Sequence, residues 1–195
     1  MRRVMRRYIW GSLWLLGVTC AQAANGVSFL NNFAAIALQD QSGKAFTVDQ
    51  LDDRVVLFSF IFTGCDSTCP IQTRVLSQVL QDLPPGVRKQ VRFVSVSIDP
   101  GNDTPEKMLK FARQMQADQE GWLFLTGDVL QLQDLARRLH LMDEASPNTP
   151  SIHRTSLWLV DKQGRMLQRY RGDPPDRERL VRELIQVSSL PVSDP

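Results

Sequence analysis

Cysteine and histidine are scarce in this chain of 195 residues, with three of the first and two of the second. Two cysteines fall close together in FTGCDSTCP, residues 62–70, as Cys65 and Cys69. A thiolate is a nucleophile toward disulfides and a ligand for soft metals, so the pair supports three chemistries: a structural disulfide, a redox couple or a metal site. A bridge across so few residues constrains the unfolded chain little, which weakens the structural reading. The C-x-x-x-C spacing is one residue longer than the C-x-x-C of dithiol oxidoreductases, and it also suits two sulfurs converging on one ion. A metal needs a third ligand. His140, in LARRLHLMD, reads as a helix C-terminal residue near free carbonyls. His153, in SPNTPSIHRTSLWLV, stands just before a predicted core strand and is the candidate third ligand.

Positioning these groups falls to the elements around them. Residues 55–62, VVLFSFIF, form a near-continuous apolar run that suits a central strand buried on both faces. Residues 69–83 switch to helical spacing, with Ile71, Val75, Leu76, Val79, Leu80 and Leu83 expected inward and Pro70 in the first turn. Both cysteines thus lie where a strand's carboxyl end feeds a helix, the edge at which open α/β sheets bind ligands. Cys69 is expected beside the unpaired N–H groups of the helix start, which favours its thiolate.

The remaining pattern predicts a strand over 33–38, a turn at 40–43 with a return over 44–48, and a strand over 91–98. A helix follows from an N-cap at Thr104, with Pro105 first and Met108, Phe111, Ala112 and Met115 on its inner face, ending near Ala117. WLFL (122–125) is a short strand, and Asp128 opens a helix burying Val129, Leu132, Leu135, Ala136 and Leu139. Residues 156–160 and 166–170 form a hairpin. Pro175 opens the last helix, with Leu180, Val181, Leu184 and Ile185 inward. This order predicts an α/β, thioredoxin-like fold: a central mixed β-sheet flanked by helices, with an N-terminal β-hairpin extension. In such a sheet the 156–160 strand neighbours the cysteine strand, so the loop carrying His153 faces the cysteine loop. Asp99 ends the neighbouring strand, where turn and helix-start chemistry is expected of it. Arg74 follows Cys69 by about a turn, but nothing else assembles a peroxidase site around it.

The first 23 residues read as an export segment: Arg2, Arg3, Arg6 and Arg7, an apolar stretch from Tyr8 to about Cys20, then Ala21-Gln22-Ala23. An uncleaved membrane anchor is the alternative, although about 13 apolar residues fall short of the ~20 a spanning helix needs. Cys20 follows Thr19, which does not suit a lipidation site. Residues 24–32 read as a linker and 33–190 as the folded domain. Removing the four arginines leaves 19 Lys+Arg against 21 Asp+Glu, a net of −2 in place of +2. With that balance no basic patch is expected to bind nucleic acid or an anionic membrane, and the N-terminal segment, if uncleaved, is the expected membrane contact. Export implies the oxidising periplasm.

Four segments in order, FAAIALQDQSGKAFT, VVLFSFIFTGCDSTCP, VSVSIDPGNDTPEKMLKFA and SIHRTSLWLVDKQGRM, resemble the Sco/SenC family of copper proteins that help assemble cytochrome c oxidase. The resemblance covers about residues 33–187, including the interval from His153 to Asp161. It implies a thioredoxin-like fold with copper, as Cu(I) or Cu(II), held by Cys65, Cys69 and His153. Two thiolates and an imidazole suit that ion. The implied function is a periplasmic metallochaperone delivering copper to the binuclear centre of a respiratory oxidase, with the oxidase's copper-binding subunit or another copper protein as its partner. The alternative is a thiol–disulfide reductase using Cys65 and Cys69 as its catalytic pair, recharged by a thioredoxin-like reductant. The chain departs from the family pattern at Asp66, where proline is frequent, and at Ile152, where aspartate is. Thr155 stands where dithiol oxidoreductases carry a cis-proline, which argues against a dedicated enzyme of that kind.

Overall fold

The computed structural model describes residues 28–141, 156–171 and 174–191. Along the chain these form a 3-10 turn (Phe29–Asn32), β1 (Leu38–Gln39), β2 (Ala45–Phe46), a second 3-10 turn (Val48–Leu51), β3 (Val55–Ile61), α1 (Thr68–Asp82) and the short α2 (Pro85–Arg88). There follow β4 (Val91–Ser97), α3 (Pro105–Gln114), β5 (Trp122–Gly127), α4 (Val129–Arg138), β6 (Ser156–Val160), β7 (Met166–Arg171) and α5 (Arg177–Ser188). The described strands make a seven-stranded sheet in the order β2-β1-β5-β4-β3-β6-β7. β3, β4 and β5 run parallel, while β6 lies antiparallel to β3 and the β1–β2 hairpin adds antiparallel to β5. This is the expected thioredoxin-like mixed sheet with its N-terminal hairpin.

The centre of the sheet follows from composition. Every residue of β3 is buried, as a strand covered by helices on both faces requires. Its one polar residue, Ser59, sits opposite Ser95 of β4, and their hydroxyl oxygens are 2.8 Å apart. Ser95 also accepts the Trp122 indole N–H at 2.9 Å, so the buried polar atoms satisfy one another. Thr104 and Asp128 cap α3 and α4 as their sequence signals imply, accepting from Lys107 N and Gln131 N. α5 is capped by Asp176, one residue after the Pro175 expected to open it. α3 stops before Ala117 because Gln116 turns left-handed (φ 57°) and Ala117 N–H bonds back to Ala112 O at 2.8 Å.

Several expectations are corrected. Residues 33–38 are mostly not a strand, and the supposed linker reaches into the core. Phe29 is 7% exposed, Phe33 stacks on Phe58 with ring centroids 4.8 Å apart, and Phe29 meets both rings and Trp158 at 5.0–5.7 Å. Two rings four residues apart reach one pocket from a tight turn, which an extended chain would not allow. In α1, Ile71 is 47% exposed, because the buried stripe runs through Cys69, Gln72, Thr73, Leu76, Ser77, Val79 and Leu80. Three of those residues are polar, so hydrophobic periodicity placed the face off its true centre. Val129 and Ile185 are also exposed, and Val181 is half-buried.

Replacing Phe29 by Ala therefore removes a core ring, not a linker side chain. Urea denaturation is expected to show a loss of about 3 kcal/mol; a loss under ~0.5 kcal/mol would restore the linker reading.

Candidate metal centre

The chain leaves β3 at Ile61 and enters α1 at Thr68, so both cysteines ride on the sheet's carboxyl edge. Cys65 N–H bonds to Phe62 O at 3.2 Å, which closes the loop into a turn. Cys65 is half-buried and Cys69 fully buried, and no disulfide joins them.

α1 lacks an ordinary cap: the residue at its N-cap, Ser67, makes no side-chain bond to the helix. The acceptor is instead the sulfur of Cys65, which takes the N–H of Cys69 at 3.4 Å. The hydroxyls of Thr68 and Ser67 lie 3.8 and 3.9 Å from the same sulfur. Partial burial raises the Cys65 pKa. Hydrogen bonds from the Cys69 and Ser67 backbone, and from the Cys69 and Thr68 side chains, outweigh that effect and hold it below the usual thiol value. For Cys69 the expectation of a favoured thiolate is overturned. Burial pushes its thiol up to about 12, against a backbone hydrogen bond with Phe62, and the nearby Cys65 adds to the rise. Desolvation at full burial exceeds the pull of the helix N-terminus. The pair is thus split into a reachable, thiolate-prone sulfur and a sealed, protonated one.

A third residue organises the loop. Asp103 is 1% exposed, and its Oδ1 accepts Thr63 N–H at 3.0 Å and the Thr63 hydroxyl at 2.6 Å. Its Oδ2 accepts the Ser97 hydroxyl at 2.6 Å. One buried carboxylate therefore ties the residue two before Cys65 to the end of β4. Burial raises its pKa, against the opposing hydrogen bonds from Ser97 and Thr63. In the sequence Asp103 stands just before the helix start at Thr104 and Pro105. An acid beside Thr-Pro looks like capping chemistry, and its partner forty residues earlier is invisible in linear order.

The other candidates divide. His153, Ile152 and Thr155 lie outside the described residues, so the expected third ligand does too. Ser156, at the start of β6, lies at the edge where β3 ends, since Leu157 pairs with Ser59. His140 is exposed and left-handed (φ 51°), while Leu141 N–H bonds to Ala136 O at 3.0 Å, the helix-end role expected of it. Asp99 is a turn residue that accepts Asn102 N–H and Asp103 N–H on its carbonyl, both at 2.9 Å. Asp161 bonds Gln163 N, Arg165 N and Arg165 Nε in the β6–β7 turn, at the sheet end away from the cysteines. Asp66 and Arg74 face solvent. Among the described residues no three ligating side chains gather, so Cys65 and Cys69 are the part of the candidate site on view. A thiolate-prone sulfur with a second sulfur one helical turn away can hold a soft ion or exchange with a disulfide.

Comparison with known proteins agrees with that chemistry. A family model described as SCO1/SenC matches residues 28–189. The chain belongs to the SCO1/SenC family. A SCO1 protein homolog of Bacillus subtilis (strain 168) is 31% identical over 137 residues, 69% of this chain and 70% of that one. A protein of Stutzerimonas stutzeri, provisionally named as copper-binding, is 29% identical over 156 residues, 78% of this chain and 74% of its own. Among solved structures, BsSco is 28% identical with a TM-score of 0.66, over 80% of this chain and 92% of its own. It is described as a Sco-family cytochrome c oxidase assembly protein with a disulfide switch. The SCO1/SenC match begins at residue 28, which agrees with Phe29 belonging to the domain.

Two measurements check the site. Iodoacetamide should alkylate Cys65 first, with a rate that rises through a pH midpoint below the ordinary thiol value, and Cys69 only on unfolding. Preferential labelling of Cys69 in the folded protein would contradict the split. For Asp103 the raised folded-state pKa means stability is fullest below the ordinary value of 3.8 and declines as pH rises through the folded one. Asp103→Asn should flatten urea stability across that window, and Asp103→Ala should cost about 3 kcal/mol by stranding the Thr63 and Ser97 donors.

Proposed function

We propose that this SCO1/SenC protein binds copper through Cys65, Cys69 and His153 and delivers it to the copper-binding subunit of cytochrome c oxidase during assembly. The observation that carries the reading is the half-buried Cys65 sulfur, biased toward thiolate by the N–H of Cys69 at the start of α1. A thiolate next to a second sulfur is a donor set for Cu(I), and an added imidazole suits either oxidation state. Support for His153 comes from chain length: it is three residues before Ser156, so at most about 11 Å of backbone separates it from the edge that carries the cysteines. The charged, then apolar, first 23 residues support export to the periplasm, with the segment either cleaved or kept as an anchor. Because Cys65 is reachable, an acceptor's ligands can replace it one at a time, which is how an ion passes without release to water.

The split between the thiols favours a second reading, a dithiol reductant for the oxidase's copper-site cysteines. In that reaction the Cys65 thiolate attacks one sulfur of a target disulfide and expels the other as a thiolate. Cys69 then gives up its proton and attacks Cys65 Sγ, so the target leaves as a dithiol and the pair as a disulfide. Two electrons pass to the target, and a thioredoxin-like partner would restore them.

Copper titration of the reduced protein should saturate at one ion per chain, with a sulfur-to-copper absorption band for Cu(II). His153→Ala should weaken affinity at least tenfold, and Cys65→Ser should abolish the band. Unchanged affinity in His153→Ala would remove that residue from the site. Rapid reduction of a model disulfide by the copper-free protein would favour the reductant, and failure to reduce it would exclude that reading.

A further inference from the structure

At the end of the sheet opposite the cysteines, an open groove of about 770 Å³ is lined by Arg54, Arg88, Lys89 and Arg92, with Glu120 as the acid beside them. Arg54 precedes β3, Arg92 is the second residue of β4 and Gly121 precedes β5, so the groove spans the amino ends of the three parallel strands. The ion pairs among the described residues all lie elsewhere. What holds the guanidinium groups is neutral. Arg54 donates to Lys89 O, Arg88 to Gln119 Oε1 at 3.1 Å, and Arg92 to Val91 O at 3.0 Å. These bonds orient the cations without neutralising them. Burial and the charge of Arg54 both press Arg92 toward its neutral form, against a weaker pull from Glu120.

The N-terminal segment enters the domain at this same end. Phe29 N–H bonds to Gly164 O at 2.7 Å and the Ser28 hydroxyl to the same oxygen at 3.2 Å, in the turn that follows β6. That turn lies at the amino end of β3, because Val160 pairs with Val56. From that turn Lys162 Nζ donates to Gln90 Oε1 at 2.8 Å, and Gln90 is next in sequence to Lys89 of the groove. The described chain therefore begins on the cationic side, and the apolar stretch from Tyr8 to Cys20 precedes it in sequence.

We propose that the groove of Arg54, Arg88, Lys89 and Arg92 docks the domain on an anionic phospholipid surface, so that Cys65 points away from the membrane. Planar guanidinium groups match phosphate oxygens bidentately. Each basic residue at such a surface strengthens attachment by roughly fivefold, and the effect fades beyond a Debye length of about 10 Å. The orientation does not depend on what the cysteines carry, so it stands or falls apart from the copper reading.

The test is lysine footprinting of the full-length chain with lipid nanodiscs, read by mass spectrometry. Lys89 is exposed in the groove, and Lys107 and Lys110 on α3 are exposed away from it and serve as internal references. Discs of phosphatidylcholine mixed with phosphatidylglycerol should slow Lys89 acylation at least fivefold relative to phosphatidylcholine alone, with both references unchanged. High salt should restore the rate, and Arg54→Gln with Arg88→Gln and Arg92→Gln should abolish the protection. Equal Lys89 rates in the two discs, or slowing shared by Lys107 and Lys110, would overturn the proposal. So would protection by free pyrophosphate on neutral discs with none from phosphatidylglycerol, which would assign the groove to a soluble phosphate. The salt and reference arms use the unaltered chain, so the outcome does not hang on the triple variant folding.

Discussion

The N–H of Cys69 meets the sulfur of Cys65, and the behaviour of the site descends from that contact. A helix start has donors that must be met, and serine, threonine, asparagine or aspartate oxygen normally meets them. Here Ser67 stands at the cap position and does not bond the helix. A sulfur does so in its place, and in doing so it acquires the electrostatics of a helix N-terminus. The helix and the reactive thiol thus stabilise each other. Anything that draws on the Cys65 sulfur, whether an ion or a partner disulfide, also draws on the first turn of α1.

That contact needs a loop held in register, and Asp103 supplies the hold. Its carboxylate fastens Thr63 to Ser97, and so couples the cysteine loop to the end of β4. A buried carboxyl with three donors is a firm anchor, because its release would strand buried polar groups. The tie also explains why residues 97–104 are rich in turn chemistry: the chain must leave β4, bond Asn102 and Asp103 to the Asp99 carbonyl, and still aim Asp103 back at the loop. Rigidity on the β4 side leaves Cys65 itself as the accessible element.

The fold has two chemically distinct ends. Thiols gather at the carboxyl edge of β3, and guanidinium groups at the amino edge of β3, β4 and β5. Separation by the length of the strands lets the two ends act independently. A parallel sheet produces this arrangement readily, since each strand delivers its first and last residues to opposite faces of the molecule.

Much of this was legible in linear order. The buried run of β3, the caps at Thr104 and Asp128, the hairpin of β6 and β7 and the position of Cys65 and Cys69 at a strand-to-helix junction are local signals, carried by residues near one another. So is the family pattern that the SCO1/SenC match confirmed. What escaped involved distance or competition. Phe29 looked like linker because its partners, Phe58 and Trp158, are far along the chain. Ile71 lies off the buried face of α1 because polar Gln72, Thr73 and Ser77 turn inward. The sequence by itself determined which residues could do chemistry and which strand carries them. Tertiary structure alone decided which thiol is the reactive one. A thiol's proton affinity depends on the water it has lost and the donors that packing brings to it, and neither is written in its neighbours along the chain.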